Sequence, residues 1–345
     1  MKRLLLFNLA TDVDHPVLGF TTRWINELAL HYDAIDVLTM TQGRLELAPN
    51  VTVYSVGKER GANDFQRTLT FYTILSRLLR KHRYERCFAH MMPLFAIMGA
   101  PLLKLRGIPI VLWYTHRQNS RTLQLAEKVA WRVVTAVPSS FPFASPKLRA
   151  IGHGIDTDFY APTVQAPQQP PTIVQVARLS PIKHQNTLLE ASKKLPLQVI
   201  LIGDQNHVGD DRYVQSLHQQ AQSTRIYSVQ FTGALPKEKV LPYLQCATIA
   251  VNSSPRGLFD KAALESMACG VPTIVSNEAF NDVLGQHKDL LCVRDPNDVD
   301  GLRQRLEKLL ALPLETRQHI GHDLRANVIQ QHGLSELIGR LVNLV

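Results

Sequence analysis

Short apolar runs alternate with amphipathic segments along the first half of this 345-residue chain. The apolar runs have the length of strands and predict them at Leu4–Leu9, Ala34–Thr39, Val51–Val56, Arg86–His90 and Ile108–Tyr114. Helical patterns between some of these runs predict helices at Trp24–His31 and Phe71–Lys81. This alternation of strands and helices predicts an α/β domain with a mostly parallel sheet and helices on both faces.

The same rhythm restarts in the second half after a break. Residues 160–171 are rich in Pro and Gln and lack periodicity, which predicts a stiff linker between two domains. Beyond the break, strands are predicted at Thr172–Ala177, Gln198–Ile202, Val229–Thr232, Thr248–Asn252 and Thr273–Ser276. Helices are predicted near 184–195, 211–223, 237–245 and 261–269, and residues 299–345 have a largely helical pattern. Two such halves are expected to bind ligands in a cleft at the carboxyl ends of their strands.

The composition fits a soluble globular protein whose charge is unevenly distributed. Apolar residues make up 45% of the chain and charged residues 19%. Residues 1–150 contain 20 Lys and Arg against 10 Asp and Glu, whereas the remainder contains 18 against 19. The first half also has a basic run, consisting of Arg77, Arg80, Lys81, Arg83 and Arg86. This run suits anionic lipid headgroups or lipid diphosphates, and a solvated helix face is the alternative interpretation.

The cysteines and the first residues bear on the cell compartment. The four cysteines lie far apart and form no CxxC pair, which favours reduced thiols over a disulfide framework or a zinc site. The apolar start is short and is followed by Asp12 and Asp14, which predicts a buried strand rather than an export signal. We therefore expect a cytoplasmic protein, with possible peripheral attachment at the inner face of the membrane.

Two common nucleotide-binding motifs are absent from the sequence. Neither GxGxxG nor GxxxxGK[ST] occurs, and Gly152-His-Gly154 lacks both the third glycine and a preceding strand. This argues against a dehydrogenase and against a P-loop protein.

Three segments of the second half carry the candidate chemistry. Arg178 follows the strand that ends at Ala177, and Lys183 stands at the start of the next helix, a turn that suits a diphosphate. The segment Phe231–Pro236 has a strand end, a glycine and open backbone that suit a flat base. In the third segment Asp260 is a predicted N-cap, and Glu265, one turn inside the helix, suits the two hydroxyls of a ribose.

In combination these segments resemble the glycosyltransferase 4 family. The matching pieces are Arg178-Leu-Ser-Pro-Ile-Lys183, Gly203-Asp204, Phe231-Thr-Gly233, Leu264-Glu-Ser-Met-Ala-Cys-Gly-Val-Pro272 and, at the domain junction, His153-Gly-Ile-Asp-Thr-Asp-Phe159. The resemblance implies the GT-B fold, with two Rossmann-like domains facing each other across a cleft and a C-terminal helix crossing back to the first domain. The domains are expected at 1–158 and 172–325, with a linker at 159–171 and the C-terminal helix at 326–345.

The family's motifs also imply roles for particular residues. Arg178 and Lys183 would bind the donor diphosphate, and His116, in the first domain, would face the transferred sugar. Glu265 would hold the ribose, Ala234 and Leu235 would line the base, and the backbone of Gly19 would approach the phosphates. The remaining donor-binding candidates are Gly233, Gly257, Leu258, Phe259, Asp260, Lys261 and Ala262. A core histidine after a strand is the alternative interpretation of His116.

One position departs from the family's pattern. The family usually has Glu-x7-Glu, and counting back eight positions from Glu265 gives Gly257. Asp260 or Lys261 is expected to take part of the missing glutamate's role. The departure also keeps open a binding-only homologue that senses nucleotide sugars.

The resemblance implies a retaining hexosyltransferase that uses a UDP- or GDP-sugar. The acceptor would be a glycan or lipid-linked hydroxyl in the synthesis of a cell-surface polysaccharide or glycoconjugate. No cofactor and no metal are expected, because cations and helix amides would stabilise the leaving diphosphate. Asp156-Thr-Asp158 has the spacing of a metal-binding motif, but its place at the junction predicts a structural role.

A sugar-nucleotide epimerase of the same fold remains an alternative, and a phosphorylase would need a pyridoxal-phosphate lysine and a longer chain. Nucleic-acid binding follows only from the basic pI of about 9.4, because no recognition helix or pattern of stacking aromatics supports it.

Overall fold

The computed structural model describes residues 2–15, 18–163, 169–205, 211–223 and 226–344. Within these residues the chain divides into two compact units. Unit 1 comprises Met1–Gly154 and Ser335–Val345, and unit 2 comprises Ile155–Leu334. The central part of the predicted linker, residues 164–168, lies outside the described residues.

Unit 1 contains a seven-stranded parallel sheet. Its strands are β1 (Arg3–Thr11), β2 (Ala34–Gln42), β3 (Val51–Ser55), β4 (Arg86–His90), β5 (Ile110–Trp113), β6 (Arg132–Thr135) and β7 (Leu148–Ala150). Its helices are α1 (Phe20–Ala29), α2 (Asp64–Lys81), α3 (Pro93–Leu105), α4 (Arg121–Val129) and, near the C-terminus, α13 (Leu334–Leu344). The strand order is β3-β2-β1-β4-β5-β6-β7, so the predicted parallel α/β architecture is confirmed.

The core of unit 1 lies between the sheet and its helices. Phe7 of β1, Phe71 of α2 and Phe95 of α3 are buried, and the ring centroids of Phe71 and Phe95 lie 4.6 Å apart. Each such side chain contributes roughly 1.5–3 kcal/mol through burial. Gly99 allows the close approach of α3, because a Cβ there would lie 3.0 Å from the Phe7 ring.

Unit 2 contains a second, five-stranded parallel sheet. Its strands are β8 (Thr172–Val176), β9 (Gln198–Ile202), β10 (Ser228–Phe231), β11 (Ile249–Asn252) and β12 (Thr273–Val275), in the order β10-β9-β8-β11-β12. Its helices are α5 (Gln185–Ala191), α6 (Asp211–Ser223), α7 (Lys237–Cys246), α8 (Lys261–Ala268), α9 (Asn281–Leu284), α10 (Lys288–Leu291), α11 (Val299–Ala311) and α12 (Leu314–His332). Each strand predicted in this half is present within one residue at either end.

The strand order of unit 2 has a switch point. From β8 the chain builds outward through β9 to β10, then crosses back to add β11 and β12 on the other side of β8. The loops that follow β8 and β11 therefore leave adjacent strands in opposite directions. Crevices at such switch points are where ligands bind in open α/β sheets.

The C-terminal region contains two helices where the pattern predicts one from residue 326 onward. Helix α12 ends at His332 because Gly333 adopts an extended conformation, with ψ of 147°. Gly333 pairs there with Ile155 in a short parallel bridge, and the Leu334 amide donates to the Ile155 carbonyl at 2.8 Å. Helix α13 then begins, and its Arg340 guanidinium donates to the Ile151 carbonyl in unit 1 at 3.0 Å.

Candidate functional site

The carboxyl ends of β8, β9 and β10 come together through two glycines. The Gly203 amide donates to the Gly233 carbonyl at 3.0 Å, and the Ala177 amide donates to the Ile202 carbonyl at 2.9 Å. Gly203 has a φ of +141°, and a Cβ there would lie 2.0 Å from the Ala177 carbonyl oxygen. Only glycine fits such a contact, which places Arg178 at the junction of these strand ends. The Arg178 side chain is exposed.

Lys183 joins the loop after β8 to the loop after β11. It ends a short 3₁₀ turn, Pro181–Lys183, and is only 9% exposed. Its Nζ donates to Asp260 Oδ2 at 2.6 Å and to Ser254 Oγ at 3.1 Å. Gln175 holds this turn in place, because its side-chain amide donates to the Lys183 carbonyl at 2.8 Å. The structure thus brings Lys183 to the start of α8, at the switch point of the sheet.

Asp260 occupies the predicted N-cap position but does not cap the helix. Its backbone has the extended conformation of an N-cap residue, yet its side chain accepts no hydrogen bond from the amides of α8. The carboxylate bonds instead to Lys183, and Asn252 Nδ2 donates to the same oxygen at 3.3 Å. The capping role predicted from the residue type is therefore wrong, because an ammonium group outcompetes a backbone amide for this carboxylate.

The electrostatic balance at Asp260 favours the ionised form. Burial alone would raise the pKa of its carboxyl, but the charge and hydrogen bond of Lys183 oppose that effect. Hydrogen bonds from Ser254 and Asn252 add to the opposition, and the pKa of Asp260 falls below its ordinary value. A fixed negative charge consequently sits beside the first turn of α8.

Glu265 and Lys261 lie one turn apart on α8. Burial raises the pKa of the Glu265 carboxyl, although the Lys261 ammonium and a hydrogen bond from Tyr160 act against the rise. Burial also lowers the pKa of Lys261 to about 8, with the charge of Glu265 acting in the opposite sense. The two groups form a partly buried pair at a spacing that lets helix side chains meet.

Tyr160 is a site residue that the sequence did not reveal. It was assigned to the linker, but its side chain is 7% exposed and bonds to Glu265. Arg325 of α12 donates to the Tyr160 carbonyl at 2.8 Å and to the Thr157 carbonyl at 3.0 Å. These bonds fix the segment that carries Tyr160 against α12. Nothing in the local sequence signals this role, since the partners lie about a hundred or more positions away.

The glycine loop before α8 is held by a second unpredicted residue, Asn277. Its Nδ2 donates to the Pro255 carbonyl at 3.0 Å and to the Leu258 carbonyl, and its Oδ1 accepts from the Gly257 amide at 3.4 Å. Gly257 has a φ of +84°, a conformation in which a glutamate would be strained. Position 257 of this loop is therefore compatible with glycine and not with the first glutamate of Glu-x7-Glu.

The other donor candidates of unit 2 have different environments. Ala234 is exposed and Leu235 is half-buried in the turn between β10 and α7, and Leu258 and Ala262 are likewise half-buried beside the loop. Phe259 is buried, with its ring 4.4 Å from that of Phe280 and 5.0 Å from that of His332. Its side chain therefore belongs to the core of unit 2, and only its backbone is available to a ligand.

The candidates of unit 1 lie at the carboxyl ends of its own strands. His116 follows β5 and is exposed, and its Nδ1 accepts from the Gln118 amide at 3.0 Å. Gly19 stands at the N-cap position of α1, where a Cβ would lie 2.6 Å from the Val13 carbonyl oxygen. Trp113 is 1% exposed and packs edge-on against Trp24, so it is a core residue.

Among the described residues, no group of three or more His, Cys, Asp or Glu is arranged to hold a metal ion. The Asp156 carboxylate accepts from the Phe159 amide at 3.0 Å, which makes it a turn-forming residue.

The fold and this site define a class of protein: two Rossmann-like units of the GT-B type, with a cationic turn and an open helix end in the second. Residues 156–326 match the family of glycosyl transferases group 1. The matched segment is just under half of the chain, and it covers unit 2 almost completely.

Two curated relatives are named mannosyltransferases. O-antigen chain mannosyltransferase B of Escherichia coli is 32% identical over 135 residues, covering 37% of this chain and 33% of the relative. A GDP-mannose-dependent alpha-(1-6)-phosphatidylinositol monomannoside mannosyltransferase of Mycobacterium tuberculosis is 26% identical over 273 residues. That alignment covers 68% of this chain and 69% of the relative.

A solved structure matches the fold over the full chain. Anabaena HepE, in complex with UDP and glucose, superposes with a TM-score of 0.72 at 16% identity and covers 100% of this chain and 99% of its own. The similarity shows that the fold is shared.

Proposed function

We propose that this protein transfers a hexose, with retention of configuration, from a nucleoside-diphosphate sugar to a hydroxyl group. The observation that carries the proposal is the position of Lys183. Its ammonium lies at the start of α8, at the switch point of the second sheet, on the helix that also carries Glu265. Paired cations and open helix amides at such a point suit a pyrophosphate.

The residues of unit 2 would stabilise the departing diphosphate. Breaking the bond at the anomeric carbon leaves negative charge on the diphosphate, which Arg178, Lys183 and the first amides of α8 would neutralise. Groups that are held in place before the reaction stabilise such charge without reorganisation, and Lys183 is held by Gln175 and Ser254. Glu265, fixed by Tyr160 and Lys261, would accept the ribose hydroxyls.

The remaining roles follow the family resemblance. We expect Ala234 and Leu235 to line the base, and Gly19 and His116 of unit 1 to approach the phosphates and the transferred sugar. Retention would proceed by attack on the face that the diphosphate leaves, with a phosphate oxygen taking the proton of the acceptor. Such a reaction needs no metal ion, because the cations of the protein neutralise the leaving group.

GDP-mannose is the first donor to test. Both curated relatives are named mannosyltransferases, and one of them is named as GDP-mannose-dependent. UDP-hexoses are the second group to test. The acceptor is proposed to be a glycan or a lipid-linked sugar in cell-surface polysaccharide or glycoconjugate synthesis.

A peripheral contact with an anionic membrane is part of the proposal. Helix α2 exposes Phe65, Leu69 and Tyr72, whose spacing places them on one face, with Phe65 72% exposed. The basic residues Arg77, Arg80 and Lys81 are exposed in the last turns of the same helix. Apolar residues beside a basic cluster are typical of helices that lie on lipid surfaces. No described helix is both long and apolar enough to span a bilayer.

Calorimetric titration of the full chain with GDP and with UDP tests the donor site. Arg178→Ala should weaken binding of the preferred nucleotide about tenfold or more, because a charge-assisted bond contributes about 1.5–3 kcal/mol. Lys183→Ala should weaken binding similarly and also lower the melting temperature, because it leaves the Asp260 charge without its cation. Lys308→Ala, an exposed change on α11, is the control. Equal affinity in wild type and both site variants would refute the proposed site.

A binding protein without transferase activity is the second candidate. It is motivated by Gly257, whose backbone conformation disfavours the glutamate that the family usually has there. Measuring the release of GDP from GDP-mannose in the presence of membrane extract distinguishes a transferase from a binding protein. Tight GDP-mannose binding with no release of GDP, under conditions in which an active transferase turns over, would favour the binding protein.

A further inference from the structure

We propose that Asp260 is an internal anion that competes with the donor diphosphate for Lys183, and so limits how tightly the nucleoside diphosphate is retained. The inference rests on the proposed function, and it assigns to Asp260 a role different from direct contact with the sugar. It concerns the strength of diphosphate binding and the release of the diphosphate product.

The geometry shows how completely Lys183 is engaged. Lysine has three N–H donors. One points to Asp260 Oδ2 at 2.6 Å and a second to Ser254 Oγ at 3.1 Å. Ser254 in turn donates to the same Asp260 oxygen. The charge of Lys183 is therefore balanced by a carboxylate at hydrogen-bond distance.

Asp260 also occupies the place that favours an anion at the start of α8. The helix amides carry a partial positive charge there, and the Asp260 side chain does not cap them. A diphosphate that enters this place meets a lysine that is already paired with the negative charge of Asp260. Because the pKa of Asp260 is held below its ordinary value, that charge persists at neutral pH.

Two consequences follow for a transferase. The ion pair holds Lys183 in position and spares the chain an isolated buried charge. The same pair makes Lys183 a weaker partner for the diphosphate than an unpaired lysine would be. A site that binds its leaving diphosphate less tightly releases it sooner, and release often limits turnover.

The test measures binding of inorganic pyrophosphate, GDP and UDP to the full chain by calorimetry. Asp260→Asn keeps the shape of the side chain and removes its charge, and Asp260→Gly replaces it with a residue that N-cap positions tolerate. Both should bind pyrophosphate and the preferred nucleoside diphosphate about tenfold more tightly than wild type, because Lys183 would no longer have to give up a bond to a carboxylate in order to bind the ligand. Glu307→Gln on α11, which also removes one exposed carboxylate, is the matched control and should bind as wild type does.

The gain in affinity that the Asp260 variants are expected to show should depend on Lys183. In a Lys183→Met background, Asp260→Asn should give little gain in affinity, because the competition for the ammonium is gone. Unchanged or weaker binding by both Asp260 variants, with melting temperatures near wild type, would overturn the inference. A gain that persists in full without Lys183 would overturn it too, since the repulsion would then act on the ligand directly.

The outcomes also separate this inference from the proposed function. If wild type binds GDP or UDP and Lys183→Met weakens that binding, the donor site stands, and only the Asp260 variants decide the inference. If wild type binds neither nucleotide nor pyrophosphate, both the donor site and the competition at Lys183 are wrong.

Discussion

Lys261 and Glu265 show how a single helical turn sets the ionisation of a ligand-binding group. Burial disfavours the charged form of each, and each charge partly offsets the loss for the other. The result is a lysine whose pKa is lowered to about 8. Its charge therefore responds to modest changes of pH.

This position predicts a pH dependence of nucleotide affinity. The folded chain carries the Lys261 charge below about pH 8 and loses it above that value. Binding of an anion beside it should therefore weaken as the pH rises from 7.5 to 9, a range in which the diphosphate itself no longer titrates. Calorimetry on wild type and on Lys261→Arg, which stays charged, measures the difference. An identical pH profile in the two proteins would mean that Lys261 does not contact the ligand.

The sequence indicates candidate site residues but not their partners. Arg178, Lys183 and Glu265 are candidates because strand ends, a cationic turn and a helix start occur in a recognisable order. The bond between Lys183 and Asp260 spans 77 positions and depends on the strand order, which local patterns do not determine. Tyr160 and Asn277 were missed for the same reason, since each acts through contacts distant in the sequence.

Helix α2 exposes large apolar side chains to solvent. Phe65 and Leu69 are more than half exposed on a helix that ends in a basic cluster. Each basic residue near an anionic bilayer contributes about 1 kcal/mol, so three contribute about 3 kcal/mol. The helix is thus expected to hold the protein at a membrane surface.

Sedimentation with vesicles tests this element directly. The variant Arg77→Gln with Arg80→Gln and Lys81→Gln should reduce partitioning onto phosphatidylglycerol-containing vesicles roughly a hundredfold. The double variant Phe65→Ser with Leu69→Ser should also reduce partitioning onto these vesicles. Added salt should weaken the part of wild-type binding that the basic residues provide, because salt screens exposed charges. Leu30→Ser, at an equally exposed apolar residue of the same unit, is the control. If the wild-type protein stays in the supernatant, α2 does not bind the membrane and its exposed side is an ordinary solvated helix face.

Strand boundaries in unit 2 follow from the sequence, whereas helices α1 and α2 begin four and seven residues before their predicted starts at Trp24 and Phe71. The strands predicted for unit 2 are confirmed, and α6 spans the predicted residues. Helix α3 was not predicted, because its sequence is apolar nearly all round and contains Gly99 and Pro101, which hide the helical period. It forms because Phe95 and Leu103 bury against the sheet, a tertiary effect that propensity does not report.

At the scale of the whole molecule, the chain passes between its two units at two neighbouring points. Ile155 begins unit 2 and Leu334 ends it, and the Ile155 amide donates to the His332 carbonyl at 2.7 Å. The linker predicted at 159–171 begins four residues after Ile155. Residues 159 and 160 were placed in it because the Pro and Gln composition begins there, whereas Tyr160 packs within unit 2.

We propose above all that unit 2 binds the pyrophosphate of a nucleotide sugar at the carboxyl ends of β8 and β11. A crystal structure of the full chain with bound GDP tests it most directly. We predict diphosphate oxygens within about 3.2 Å of Lys183 Nζ and of the Arg178 guanidinium, with the ribose hydroxyls on Glu265. A nucleotide bound elsewhere, with Lys183 still closed on Asp260 and no phosphate beside it, would contradict the account.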